Sequence, residues 1–170
     1  CCQSNSSTNL TKDYQCEELK EPPFNGTIFI DSEIVTPEDI STFVRLSYNG
    51  RKERVMFDRR VADWITIQPY LFPAIYDDSI QIEIQVNPEF GSYQKAMIQA
   101  EKFAPVIGQL PTELRKDVKT VWIHRGDFPF GGGNNNLLIH TDYSVKNYED
   151  QGILEETLIH EAAHTSLDQY

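Results

Sequence analysis

"SIQIEIQVNPEFGSYQKAMIQAEKFAPVIG", Ser79 to Gly108, changes its period halfway along. Ile80, Ile82, Ile84 and Val86 alternate with Gln81, Glu83 and Gln85, the pattern of a strand with one apolar face. From Ser92 onward Tyr93, Ala96, Met97, Ala100, Phe103 and Ile107 recur at three- and four-residue spacing. That predicts a helix with Ser92 as its N-terminal cap. Pro105 and Gly108 predict a kink or stop near its far end. The switch near residue 91 separates a β-rich stretch from a mixed one and sets the fold class as α+β.

Working outward, "TIFI" (Thr27 to Ile30) is a short strand candidate. "FVRLSYNGRKERVMF" (Phe43 to Phe57) reads as a hairpin about Asn49-Gly50. "DWITIQPYLF" (Asp63 to Phe72) is an extended run in which Pro69 marks an edge or a bend. Beyond the helix, "PTELRKD" is a helical turn, while "KTVWIH" (Lys119 to His124) and "NLLIHTDY" (Asn136 to Tyr143) are strands. "GDFPFGGGNNN" between them is a loop, and a last helix runs from about Gly152. Trp64 and Trp122 are expected in the core. The organisation is therefore a tail over 1–23, a β-rich module over 24–91, and a helix-strand-strand-helix domain over 92–170. Alternatively the first sheet simply extends the second.

The chain has 170 residues and a formal net charge of −11, with 39% hydrophobic and 24% charged residues. This is a globular balance, and the acidic excess argues against nucleic acid as a partner. No run is long and apolar enough to span a bilayer. Asn5, Asn9 and Asn25 head glycosylation sequons. Cys1, Cys2 and Cys16 all lie in the first sixteen residues, an arrangement that fits a local disulfide in an oxidising compartment. The odd count leaves one thiol free, modified or paired with a partner chain. The expectation is a secreted chain. The alternative is a lipoprotein anchored through Cys1, with Cys2 free to pair with Cys16.

The chemistry lies at the end. His160-Glu161-Ala162-Ala163-His164 is an H-E-x-x-H pattern. Residues four apart on a helix share a face, so both imidazoles can reach one Zn²⁺, with Glu161 beside it as general base. Zinc brings the pKa of a bound water toward about 7. His140 is a candidate third ligand or substrate contact, alongside the upstream His124 and Asp142. Tyr143 is a candidate hydrogen-bond donor to an oxyanion. Asp168 shares the face of His164 but lies about 12 Å along the axis from His160. Gly131-Gly132-Gly133-Asn134-Asn135-Asn136 lacks the Lys-Ser/Thr of a phosphate loop. It reads as a loop at a cleft rim, a lid, or a hairpin connection. Arg125-Gly126-Asp127 matches an adhesion tripeptide and equally a turn after a strand.

"LEETLIHEAAHTSLD" resembles the active-site helix of the zincin metallopeptidases, and the preceding order of helix, strands and zinc helix is also similar. The wider stretch from "IQVNPEFG" through "VWIHRG" and "GGGNNNLLIHTD" is similar to a group of uncharacterised secreted proteins. The zincin resemblance implies a secreted zinc-dependent peptidase acting on peptide or protein substrates. It also implies that an extended substrate pairs with the strand before the helix, here the Asn136 to Tyr143 stretch. The pattern departs from the metzincins, since Leu167 and Tyr170 stand where a glycine and a third histidine belong. The third ligand of the other subclasses, an acid from a following helix, is expected beyond Tyr170. A non-catalytic matrix, adhesion or signalling protein on the same scaffold is the alternative.

Overall fold

The structure, a computed structural model, describes the backbone of 17–18, Ser41, and residues 44–167 without the side chains of Tyr143, Ser144, Glu149 and Glu155. The cysteines, the three sequon asparagines, Thr27 to Ile30 and Asp168 lie outside the described residues.

The fold is mixed α+β with a β-rich N-terminal part. In chain order the strands are β1 (Glu17–Glu18), β2 (Val44–Leu46), β3 (Arg54–Asp58), β4 (Asp63–Ile67), β5 (Tyr70–Tyr76) and β6 (Gln81–Val86). Then follow α1 (Tyr93–Gly108), α2 (Thr112–Arg115), β7 (Thr120–His124), β8 (Gly131–Gly133), β9 (Asn136–His140), α3 (Tyr143–Asp150) and α4 (Leu154–Leu167). Seven strands form one sheet in the order β1-β2-β5-β6-β7-β9-β8, and β3 and β4 form a separate hairpin. β6 pairs in parallel with β7 across the α1 crossover, and β7 with β9 likewise. The sheet is thus continuous through the point where the sequence changes period, and residues from both sides of it share one core.

Ser92 caps α1 as its sequence predicts, its side chain accepting a hydrogen bond from the Lys95 amide at 3.2 Å. The helix does not stop at Pro105 but continues to Gly108. Val106, Ile107 and Gly108 are buried there, and the Tyr76 hydroxyl donates to the Ala104 carbonyl at 2.7 Å. Burial of that turn outweighs the N–H that proline withholds from the helix.

Asn49-Gly50 is not a hairpin turn. β2 pairs with β5, and the chain stays beside β5 as far as Gly50, with Asn49 N–H donating to the Leu71 carbonyl at 2.8 Å. β3 instead turns back on β4 through 59–62, where Ala62 has φ 54°. The alternation decides this. Val44 and Leu46 face the core, as do Phe72 and Ala74 opposite, whereas Val55 and Phe57 are exposed. A β2–β3 hairpin would have to join two unlike surfaces. Pro69 does mark a break, between β4 and β5.

The sheet has two different faces. Ile84, Val86, Val121, Ile123, Leu137 and Ile139 lie in the core under α1 and α4. Strand alternation puts Gln85, Trp122, His124, Leu138 and His140 on the other face. The β3–β4 hairpin covers that face. Arg54 donates to Gln85 Oε1 at 2.6 Å and lies 3.8 Å from the Trp122 ring centroid. Trp122 is half-buried beneath that guanidinium. Trp64, expected in the core, is 67% exposed on the hairpin, edge-on to Phe57 across the strands.

Candidate functional site

α4 is placed by an apolar stripe: Leu154, Leu158, Ala162 and Thr165, all buried, recur at helical spacing against the sheet. The Ser166 hydroxyl ties its last turn to Asp117 at 2.8 Å, and the helix packs along β8 and β9. Contact with β8 is close. A β-carbon on Gly132 would come within 2.7 Å of the Glu161 carbonyl carbon and closer still to its oxygen. Glycine is therefore required at that strand position for helix and strand to meet.

On the side of α4 turned from the core, His160 and His164 point the same way. Their Nε2 atoms are 3.1 Å apart and their rings meet edge to face. The contact is that of a hydrogen bond between the two imidazoles, and two nitrogens bound to one tetrahedral zinc ion would lie at a similar separation of about 3.3 Å. The Glu161 carboxylate is largely buried, with Oε1 3.9 Å from His160 Nε2. Burial pushes its pKa above the ordinary value, while His160, His164 and Arg59 pull it part of the way back. A carboxyl so placed holds a proton more readily than a surface glutamate does.

His140 does not join this pair. It sits at the end of β9 on the face opposite α4, 2% exposed, with its Nδ1 3.2 Å from the Pro129 carbonyl. Its neighbours are Phe128 and His124. His124 is fully buried, its Nε2 2.9 Å from Arg54 Nη2, and Arg60 and Asn87 flank its Nδ1. Burial and then the two guanidinium charges lower the His124 pKa to about 3. Burial lowers His140 too. Both are held as neutral imidazoles, and His124 fastens the hairpin to the sheet through Arg54 and Arg60. Among the described residues no group of three His, Cys, Asp or Glu converges as a metal site.

Tyr143 opens α3 rather than closing a strand, because β9 ends at His140; its side chain is outside the description. Asp142 serves the turn after β7, accepting from the Gly126 amide at 2.8 Å and from Arg125 at 3.4 Å. The Arg125-Gly126-Asp127 tripeptide is thus part of a braced turn, with Gly126 at φ 110°.

The expected substrate strand is also displaced. β9 is paired on both sides, by β7 and by β8, so it has no open edge. The edge strand is β8, within the stretch taken for a loop. Asn134 and Asn135, at φ 50° and 64°, form the two-residue turn to β9. Two successive left-handed residues are what such a tight hairpin needs, and the asparagine pair was its only signal. Arg59, in the hairpin turn, carries no signal in the sequence. It donates to the Pro129 carbonyl at 3.0 Å, and its Nη2 is 3.1 Å from where a Gly131 β-carbon would stand.

Against known proteins, the chain matches no protein-family model, no curated protein and no solved structure. No helix among the described residues is long and apolar enough to cross a membrane.

Proposed function

We propose that the chain is a zincin-like, zinc-dependent peptidase of a secreted protein, with His160 and His164 as two of the metal ligands and Glu161 as the general base. The observation that supports this reading is the 3.1 Å convergence of the two Nε2 atoms beside a largely buried carboxylate. Zinc held there supplies Lewis-acid polarisation of a peptide carbonyl and a more acidic water. Glu161 takes a proton as the nucleophile attacks and returns it to the leaving amine. Its burial favours both steps, since a base that keeps its proton briefly can also act as the acid. β8, the edge strand among the described residues, orients an extended peptide by main-chain hydrogen bonds. The test is Glu161→Gln. The zinc content of the variant is expected to equal that of the wild-type protein, with peptide hydrolysis lost. Equal hydrolysis by both would remove Glu161 from the reaction.

A second reading is a non-catalytic extracellular protein that holds metal without turnover. It draws on the absence of a third ligand among the described residues. One zinc per chain with no cleavage of a broad peptide mixture would favour it.

A further inference from the structure

Three guanidinium groups project from the β3–β4 hairpin, and two are committed. Arg54 engages Gln85 and His124 and covers Trp122. Arg60 is clamped by Asp58 and Glu89 and donates to the Arg125 carbonyl. Arg59, exposed in the turn between the two strands, makes no ion pair among the described residues and donates to the Pro129 carbonyl. The Arg60 clamp on both sides of the turn fixes where Arg59 emerges.

That position is at the first residue of the edge strand. Gly131 and Gly132 turn to opposite faces of β8. A β-carbon on Gly131 would meet Arg59, and one on Gly132 would meet α4. The lack of a side chain at Gly131 lets the guanidinium lie against the strand backbone. A peptide paired with β8 runs about 4.8 Å beyond it, and every second side chain lies on the hairpin face. An arginine reaches that distance.

Resting on the peptidase reading above, we propose that Arg59 is a specificity residue, and that the preferred substrates carry a carboxylate on the side chain or terminus that falls beside it along β8. The planar fork of arginine suits a carboxylate through two parallel charge-assisted hydrogen bonds. The remainder of the chain opposes such a substrate, because its net charge is −11. A local unpaired cation is what would let an acidic peptide dock.

The test uses the full chain loaded with zinc and two peptide sets. In one, amidated neutral peptides carry a single Glu, or Gln as its control, scanned through each position. In the other, all-neutral peptides end in a free carboxylate or an amide. The expected result is a ten- to hundredfold higher kcat/KM for the carboxylate member of one set, about the range of a charged hydrogen bond. That ratio falls to near one in Arg59→Ala, falls below one in Arg59→Glu, and is partly kept in Arg59→Lys. The set that responds names the source of the carboxylate. The same peptides are titrated onto Glu161→Gln, alone and combined with Arg59→Ala, with fluorescence anisotropy as the readout. A wild-type chain that cleaves nothing removes the peptidase reading, while the binding ratio still decides the role of Arg59. A carboxylate preference that is absent from both measurements, or that survives Arg59→Ala, overturns the proposal.

Discussion

His160 Nε2 and His164 Nε2 stand 3.1 Å apart on consecutive turns of one helix. Helical spacing brings the rings together on the side away from the core, where they are hydrogen-bonded to each other and open to an ion. Zinc titration into the full chain is expected to saturate at one ion per chain, and His160→Ala and His164→Ala should each abolish it. An ion that binds only the folded form adds, at a hundred times its dissociation constant, about 2.7 kcal/mol of stability, and that is the rise expected with zinc. Equilibrium dialysis with elemental analysis checks the first expectation and thermal unfolding the second. Undiminished uptake by either alanine variant would place the metal elsewhere.

Gly131 and Gly132 are neighbours with opposite tolerances. Alanine at 131 meets the tip of a flexible arginine, which can swing aside. Alanine at 132 meets the backbone of Glu161, which cannot move without the whole of α4. Gly132→Ala should therefore cost on the order of 1–3 kcal/mol or more, and should weaken zinc uptake by shifting the helix. Gly131→Ala should do much less of either. Urea unfolding of the two variants side by side makes the comparison.

Arg115 is fully buried and pairs with Asp78 through both guanidinium nitrogens, at 2.6 and 3.0 Å, beside the Tyr76 ring. Burial acts to raise the Asp78 pKa, but the Arg115 hydrogen bonds, the Arg115 charge and backbone N–H donors together outweigh it and hold the carboxyl below its usual value. Asp78→Ala leaves a charge in the core without its counterion and should cost on the order of 3 kcal/mol. Arg115→Met, which removes the charge itself, should cost less than Asp78→Ala. Denaturant midpoints of the two variants test the order.

His124 gives stability a dependence on acid. Its folded pKa is about 3, against an ordinary value near 6.5. Well above pH 6.5 neither the folded nor the unfolded chain protonates it. Below about pH 6.5 the unfolded chain takes up a proton that the folded chain refuses, so stability falls with pH at about 1.4 kcal/mol per unit until about pH 3. Buried His140 adds in the same direction. His124→Gln should flatten the slope between pH 6.5 and 4.5. Unfolding free energies across that range show whether it does, and an unchanged slope would assign the acid sensitivity to other groups.

How much of this was written in the chain depends on what each residue had to signal. The β6-to-α1 switch was legible because both elements bury a continuous apolar stripe, and the Ser92 cap sits between them. The α4 pair was legible because helical spacing alone brings His160 and His164 together. β8 was not, because three glycines carry neither strand propensity nor alternation; its pairing is set by the Asn134-Asn135 turn and the close approach of α4. α3 was missed for a related reason. Its apolar residues are few, and "HTDY" reads on as strand past His140. The Asn49-Gly50 dipeptide misled because a strong turn signal was outweighed by which faces of β2 and β3 are apolar. His140 lay one strand residue out of phase with the helix it was expected to meet, and only the sheet's parity reveals that. Arg59 had no local signature at all, since its position follows from a hairpin folding across the sheet.

The parallel seam between β6 and β7 bears on how the protein can be handled. A fragment begun at residue 92 would carry α1 and the histidines, yet β7 would lose its neighbour and present bare amide and carbonyl groups along a hydrophobic strand. Such a raw border recruits other chains. Shortened preparations of the C-terminal half should therefore clump rather than dissolve, and the two halves are best produced as one piece.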